Sequence, residues 1–183
     1  MKSNALRVLA GLAVLVGSSP AQQPSISNAK LAGTAIVVLT HDFCTAEVKR
    51  GDDVFRPGRL ICSAAEEAVR NSFEHVIRME TAPNPEDTGG HLVLVPRYSD
   101  MEVTTATTVA GKRKVGLLLE WSAFDPSGKI LWVQTVEGDA GRTAGFNHQK
   151  LLEMMTHDLV AKSTEAIEKS REIRQFVDTL ANK

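Results

Sequence analysis

Residues 115–137 constrain the fold of this chain more than any other stretch. Val115, Leu117, Leu119, Trp121 and Ala123 alternate with Gly116, Leu118, Glu120, Ser122 and Phe124, the two-residue period of a strand. Asp125-Pro126-Ser127-Gly128 follows, with Asp, Pro and Gly at the first, second and fourth positions that a type I turn prefers. Lys129 to Glu137 then returns as a strand with Ile130, Trp132, Gln134 and Val136 on one side. This predicts an antiparallel hairpin. Simple pairing across a four-residue turn sets Trp121 directly opposite Trp132, Glu120 near Val133 and Glu137 near Gly116. A paired-carboxylate site built from Glu120 and Glu137 is thereby excluded. The two tryptophans belong to the core under a helix or to an apolar ligand groove, and a cross-strand aromatic pair adds up to about 1 kcal/mol.

Around the hairpin the period changes several times. Thr34 to Thr40 is a short β-branched run, typical of a strand buried on both faces. His41 to Arg59, with Gly51, Pro57, Gly58 and several charges, reads as a long loop. Ser63-Ala64-Ala65-Glu66 fits a capping box. Ala65, Ala68, Val69, Phe73, Val76 and Ile77 continue from it at helical spacing, so a helix is predicted from Ser63 to about Met79. Pro83 to Gly90 is a turn. Leu92 to Val109 is extended, with a bend expected at Pro96, which lacks an N–H. Gly138 to Gly145 reads as a glycine-rich loop, and Asn147 as the cap of one last helix running to about Leu180. The apolar stripe of that helix (Leu152, Met155, Leu159, Ala166, Ser170, Ile173, Val177) thins towards its end, so its second half is expected to project. The order is strand, helix, three-stranded antiparallel meander, helix. It predicts an α+β two-layer domain with the helices on one face of the sheet.

The N-terminus has a separate task. A basic start with Lys2 and Arg7, an apolar run from Val8 to Val16, and the small residues Ser19 and Ala21 form the three regions of a secretory signal. The run is about half of the roughly 20 residues needed to span a bilayer. Cleavage is expected after Ala21, followed by a flexible leader over residues 22–31 and one domain over 32–183. The exported part would hold 162 residues, with 19 basic and 22 acidic side chains and a net charge of −3. It would lie in the periplasm or be secreted, with no transmembrane anchor after cleavage; a retained signal serving as an anchor is the alternative. A nucleic-acid partner is not expected, for want of a basic excess or stripe. Leu15-Val16-Gly17-Ser18 has the outline of a lipobox but carries Ser18 where the lipidated cysteine would stand.

Cys44 and Cys62 are the only cysteines. In an exported chain they are expected to pair, closing a loop worth roughly 3 kcal/mol on the chain-entropy model. Two free thiols or a shared metal site are the alternatives. Of the five histidines, none forms a His-x-x-x-His pair. His148 and His157 are about 900° apart around a helix, hence on opposite sides. No Gly-x-Ser-x-Gly elbow is present outside the signal, and the Gly138–Gly145 stretch lacks the Lys-Ser/Thr of a phosphate loop. No motif implies a cofactor. His41, Asp42 and Glu47, just past a strand end, are the residues that a small hydrolase would have to use. Lys112-Arg113-Lys114, at a predicted hairpin tip, is the one basic cluster and offers contact with an acidic partner or anionic lipid.

A hydrophobic first strand (Ala35–Leu39), a helix ending near Phe73-Glu74-His75-Val76-Ile77, an extended strand, the segment Leu119 to Trp132 and a long helix stand in this order. The arrangement resembles small periplasmic accessory proteins of bacteria, namely the lipopolysaccharide-assembly, curli-secretion and transport-auxiliary lipoproteins. The chain departs from them in lacking the lipidated cysteine. The resemblance implies a non-enzymatic protein that binds a protein or lipid partner at the cell envelope. For such a partner the basic cluster Lys112, Arg113 and Lys114 and the groove candidates Trp121 and Trp132 are the candidate contacts read from the residues themselves. It carries over no catalytic residue. A structural interaction domain is a third reading beside the binder and the hydrolase.

Overall fold

A computed structural model describes residues 30–50, 53–105, 113–142 and 148–181. The signal and its cleavage at Ala21, the leader up to residue 29, Lys112 and Asn147 lie outside these residues.

The chain builds one mixed sheet with helices against one face, and a separate two-stranded hairpin. Strand β1 (Leu31–Val38) begins at the last residue of the predicted leader. It lies inside the sheet, and Ala35–Val38 are buried on both faces as expected. The expected long loop after it carries structure. Thr40 caps the one-turn helix α1 (His41–Cys44), its Oγ1 accepting the Phe43 N–H at 3.2 Å. Strands β2 (Val48–Arg50) and β3 (Asp53–Phe55) then pair as a small hairpin.

Helix α2 (Gly58–Ser72) starts earlier and stops earlier than predicted. Ser63 is exposed within the helix and caps nothing; Pro57 stands at the N-cap without a side-chain bond. Glu66 binds Arg70 and Arg78 instead of reaching back. At Phe73 the backbone turns extended, and Phe73–Met79 forms strand β4, parallel to β1 from Leu31↔Phe73 to Val38↔Met79. The predicted end of the helix is therefore a strand. Val76 and Ile77, β-branched, suit a pleated surface, and β1 supplies the partner that no local pattern reveals.

A 3₁₀ turn (Pro85–Thr88) and two glycines with left-handed φ, Gly89 and Gly90, lead to β5 (Leu92–Thr105). Its pairing with β1 ends at Leu94, before Pro96, where a missing N–H costs nothing on that side. The irregularity of β5 falls between Tyr98 and Asp100, not at Pro96. Strands β6 (Arg113–Phe124) and β7 (Ile130–Arg142) form the predicted hairpin. Its register is displaced from simple pairing: Trp121 faces Gln134, Ala123 faces Trp132 and Glu120 faces Thr135. Asp125 explains the displacement. Its Oδ1 accepts the Ser127 and Lys129 N–H groups and its own N–H binds the Lys129 carbonyl, while Phe124 pairs with Ile130 and leaves Leu131 as an extra residue. The expected glycine-rich loop is, up to Arg142, the end of β7. A Cβ on Gly138 would stand 2.9 Å from Leu159 Cβ, so this glycine lets a helix lie directly on the strand.

The sheet order is β4-β1-β5-β6-β7. The last helix is two: α3 (His148–Lys169) and α4 (Arg171–Ala181). Ser170 divides them, its Oγ accepting the Ile173 N–H at 3.2 Å as a cap for α4. Leu151, Met155, Leu159, Ser163 and Ile167 are buried on α3, and Ile173 and Val177 on α4. The second half therefore packs, against β1 and β7, and does not project. The main core lies between the helices and Ala35, Val37, Leu94, Leu117, Leu119 and Trp121 of the sheet.

Candidate functional site

Among the described residues the helices pack on one face of the sheet, and none packs on the other. Strand alternation sends Ile36 and Val38 to this face, and lateral pairing aligns them with apolar residues on every strand. One row runs Ile77 (β4), Ile36 (β1), Val93 (β5), Phe124 (β6) and Ile130 (β7). A neighbouring row contains Met79 beside Val38, and Val95, Ser122 and Val133. The centre is buried, with Ile36 and Val38 each 2% exposed and Met79, Val95 and Phe124 packed against them. The flanks are open: Ile77 is 44%, Ile130 57% and Val133 50% exposed. Arg97 and Glu120, opposed across β5 and β6, border the rows.

Strand β7 is also the edge of the sheet. Beside it runs a groove of about 750 Å³, lined on the strand by Trp132–Glu137 and on the helices by Lys162, Glu165, Ala166 and Lys169–Glu172. Side chains from α3 close part of the edge. Asp158 accepts the Asp139 N–H at 3.0 Å, and the Lys162 ammonium donates to the Glu137 carbonyl at 3.0 Å and to Asp158 at 2.7 Å. Burial pushes the Asp158 carboxyl up, but the hydrogen bonds from Lys162 and the Asp139 amide outweigh it and hold Asp158 below its ordinary range. Lys162 is correspondingly raised, chiefly by its bond to Asp158.

The tryptophans divide between core and groove. Trp121 is fully buried, its Nε1–H donating to Ser163 Oγ at 3.0 Å. Trp132 is half-buried and lines the groove. They are not directly opposed. Arg113 pairs with Thr105 and Arg142, and Lys114 with Thr104 and Gly141, at the start of β6. Glu137 sits opposite Leu118, not Gly116, and apart from Glu120.

Cys44 and Cys62 are bridged, with S–S 2.04 Å and Cα–Cα 5.0 Å, joining α1 to α2. Tyr98 reinforces the junction: its ring stacks on Phe43 at 4.6 Å and its hydroxyl donates to the Phe43 carbonyl. Burial pushes its phenol well above the ordinary value. His41 and Asp42 are exposed neighbours on α1, and Glu47 is bound by Arg56 at 2.6 Å. A cavity of about 230 Å³ nearby is lined by Cys44–Glu47, Arg56, Gly58 and Arg59, and neither His41 nor Asp42 lines it. Among the described residues no three His, Cys, Asp or Glu side chains are grouped to hold a metal, and no helix is long and apolar enough to cross a membrane.

Sequence reasoning missed Ile77, Ile130, Val133 and the β7 edge. Strand alternation was the available signal for Ile130 and Val133, whereas Ile77 was assigned to a helix.

No protein-family model matches the sequence, and no curated protein matches it. Solved structures do. A Xanthomonas campestris protein of the family DUF330 matches with a TM-score of 0.52 and 10% identity, over 87% of this chain and 94% of that one. A minor lipoprotein from Acinetobacter baumannii gives a TM-score of 0.44 at 12% identity, over 74% and 90%. A Neisseria meningitidis lipoprotein gives 0.38 at 15%, over 72% and 98%. Identities this low speak to fold alone. At that level the chain shares the architecture of the Xanthomonas protein.

Proposed function

We propose that this chain is an exported, non-enzymatic accessory protein of the cell envelope that binds a partner protein on the face of its sheet opposite helices α2–α4. The observation that carries the reading is the apolar row from Ile77 to Ile130, continuous across all five strands and open at both flanks. Ile77 at one flank, and Ile130 with Val133 at the other, are the exposed large apolar side chains of the described residues, and exposed apolar surface marks interaction sites. Arg97 and Glu120 border it, as a polar rim borders a protein interface; acyl chains would have no use for them. The N-terminal signal and the disulfide support export to an oxidising compartment. The hydrolase reading finds less support, since Glu47 is engaged by Arg56 and the cavity that Glu47 lines includes neither His41 nor Asp42.

Ile77→Glu tests the face without touching β7. Immobilised wild-type protein in envelope extract should retain a partner, identified by mass spectrometry, that Ile77→Glu loses while melting at the same temperature. Equal retention by both proteins would overturn the reading. Flotation of the wild-type protein with anionic vesicles, abolished by the same substitution, would replace the protein partner with lipid.

A further inference from the structure

Both backbone groups of a residue in an antiparallel strand point to the same side, alternating along the strand. In β7 the Glu137 carbonyl and Asp139 amide point outward, because α3 side chains engage them. Thr135 and Val133 lie two and four residues before Glu137, so their N–H and C=O groups also point outward. The edge has no neighbouring strand, and among the described residues these groups have no partner. Edge strands are normally blunted by lysine, proline or a cover. From Ile130 to Val136 this one carries neither lysine nor proline. The Lys162–Asp158 cover begins only at Glu137. The uncovered length forms one wall of the 750 Å³ groove.

We infer that the free edge of β7 at Val133–Thr135 receives an extended segment of a partner protein as a sixth strand. The inference names the mode of binding for the protein partner proposed above and rests on that reading. Another extended backbone is the ligand that satisfies alternating N–H and C=O groups in register. Its side chains would alternate between two surfaces that meet at β7: the apolar face, at Ile130 and Val133, and the groove, lined across from the strand by Arg171. Within the groove Lys162 is held by Asp158, Lys169 by Glu165, and Glu172 accepts from Ser170. Arg171 has no ion pair among the described residues, so the groove-facing side chain that fits is acidic. A second copy of this chain fits less well. Antiparallel pairing of two β7 edges about Gln134 would set the Lys162–Asp158 cap of each against the β6–β7 turn of the other, and a free peptide meets one cap only.

The probe is a capped eight-residue peptide alternating valine with glutamate or threonine. It should bind with a Kd of roughly 1 mM or tighter and slow amide hydrogen exchange at Val133 and Thr135. Thr135→Pro removes an outward N–H without breaking the β6 ladder; it should keep the melting temperature and weaken the peptide roughly tenfold. Arg171→Glu, outside the sheet, should weaken the glutamate peptide and favour a lysine counterpart, and tests the site independently should Thr135→Pro fail to fold. Absence of protection at Val133 and Thr135 overturns the inference. So does protection that rises with protein concentration alone, which would seat a second copy on the edge. If the peptide fails while Ile77→Glu still abolishes partner retention, the edge assignment falls and the face reading stands; the converse result separates them the other way.

Discussion

Trp121 shows how one side chain joins the two layers. The indole fills the space between β6 and α3, and its single donor meets Ser163, a hydroxyl that would otherwise be a buried polar group without a partner. Removing one member of such a pair costs more than removing both, because the survivor keeps its desolvation penalty. Trp121→Phe should therefore destabilise by about 2–4 kcal/mol, from the lost ring volume and the stranded Ser163 hydroxyl. Adding Ser163→Ala should recover part of that loss in urea unfolding. Strict additivity of the two substitutions would show that the bond contributes nothing. Trp132, half-buried in the groove wall, should cost less on truncation than its expected core role implied.

Among the elements, β7 gathers the most consequences. Its cap of Asp158, Asp139 and Lys162 is partly exposed, with side-chain exposures of 32–45%, so its contribution should stay under about 1 kcal/mol. Asp158 is lowered, so its contribution is present above the unfolded carboxyl value of about 3.9 and is lost as pH falls through the lower folded value. Lys162 is raised, so its share is present below about 10.4 and is lost as pH rises through the folded value. The difference in melting temperature between wild type and Asp158→Ala should be flat between these limits and shrink outside them. A difference that persists undiminished in acid would contradict the assignment.

The same element shows what could be read in advance. The β6–β7 hairpin was legible because alternation and Asp125-Pro126-Ser127-Gly128 are local signals. Its register was not, because the Asp125 side chain extends the turn and leaves Leu131 unpaired. Strand β4 was illegible for another reason: Phe73, Val76 and Ile77 continue the helical period of α2, and the parallel partner that makes them a strand lies some 40 residues earlier. The candidate face depends on the lateral alignment of five strands, so no stretch of sequence displays it. Cysteine pairing was legible from count and compartment alone, and the two alternatives fell once the bridge was seen.

For the whole molecule, the Cys44–Cys62 bridge fixes the α1 segment and the β2–β3 hairpin to the start of α2. Gly58 lies there so close to α1 that a Cβ would stand 2.8 Å from the Cys44 carbonyl oxygen. Reduction, or Cys44→Ala with Cys62→Ala, should lower unfolding stability by roughly 3 kcal/mol. The transition should remain cooperative, because the five-stranded sheet and the helical core other than the first turn of α2 lie outside the closed loop. A second transition in the reduced protein would show that the bridge joins a separately folding part.

The parallel pairing of β1 also bears on the order of events at a membrane. Should the chain cross N-terminus first, Leu31–Val38 emerges before its partners, Phe73–Met79 and Leu92–Leu94, have followed. The hairpin of β6 and β7 can close as soon as it arrives, since its contacts are local, whereas the most apolar strand of the sheet waits for distant ones. During that interval it is an unpaired, aggregation-prone segment, and a holding factor on the far side would have to recognise this strand first.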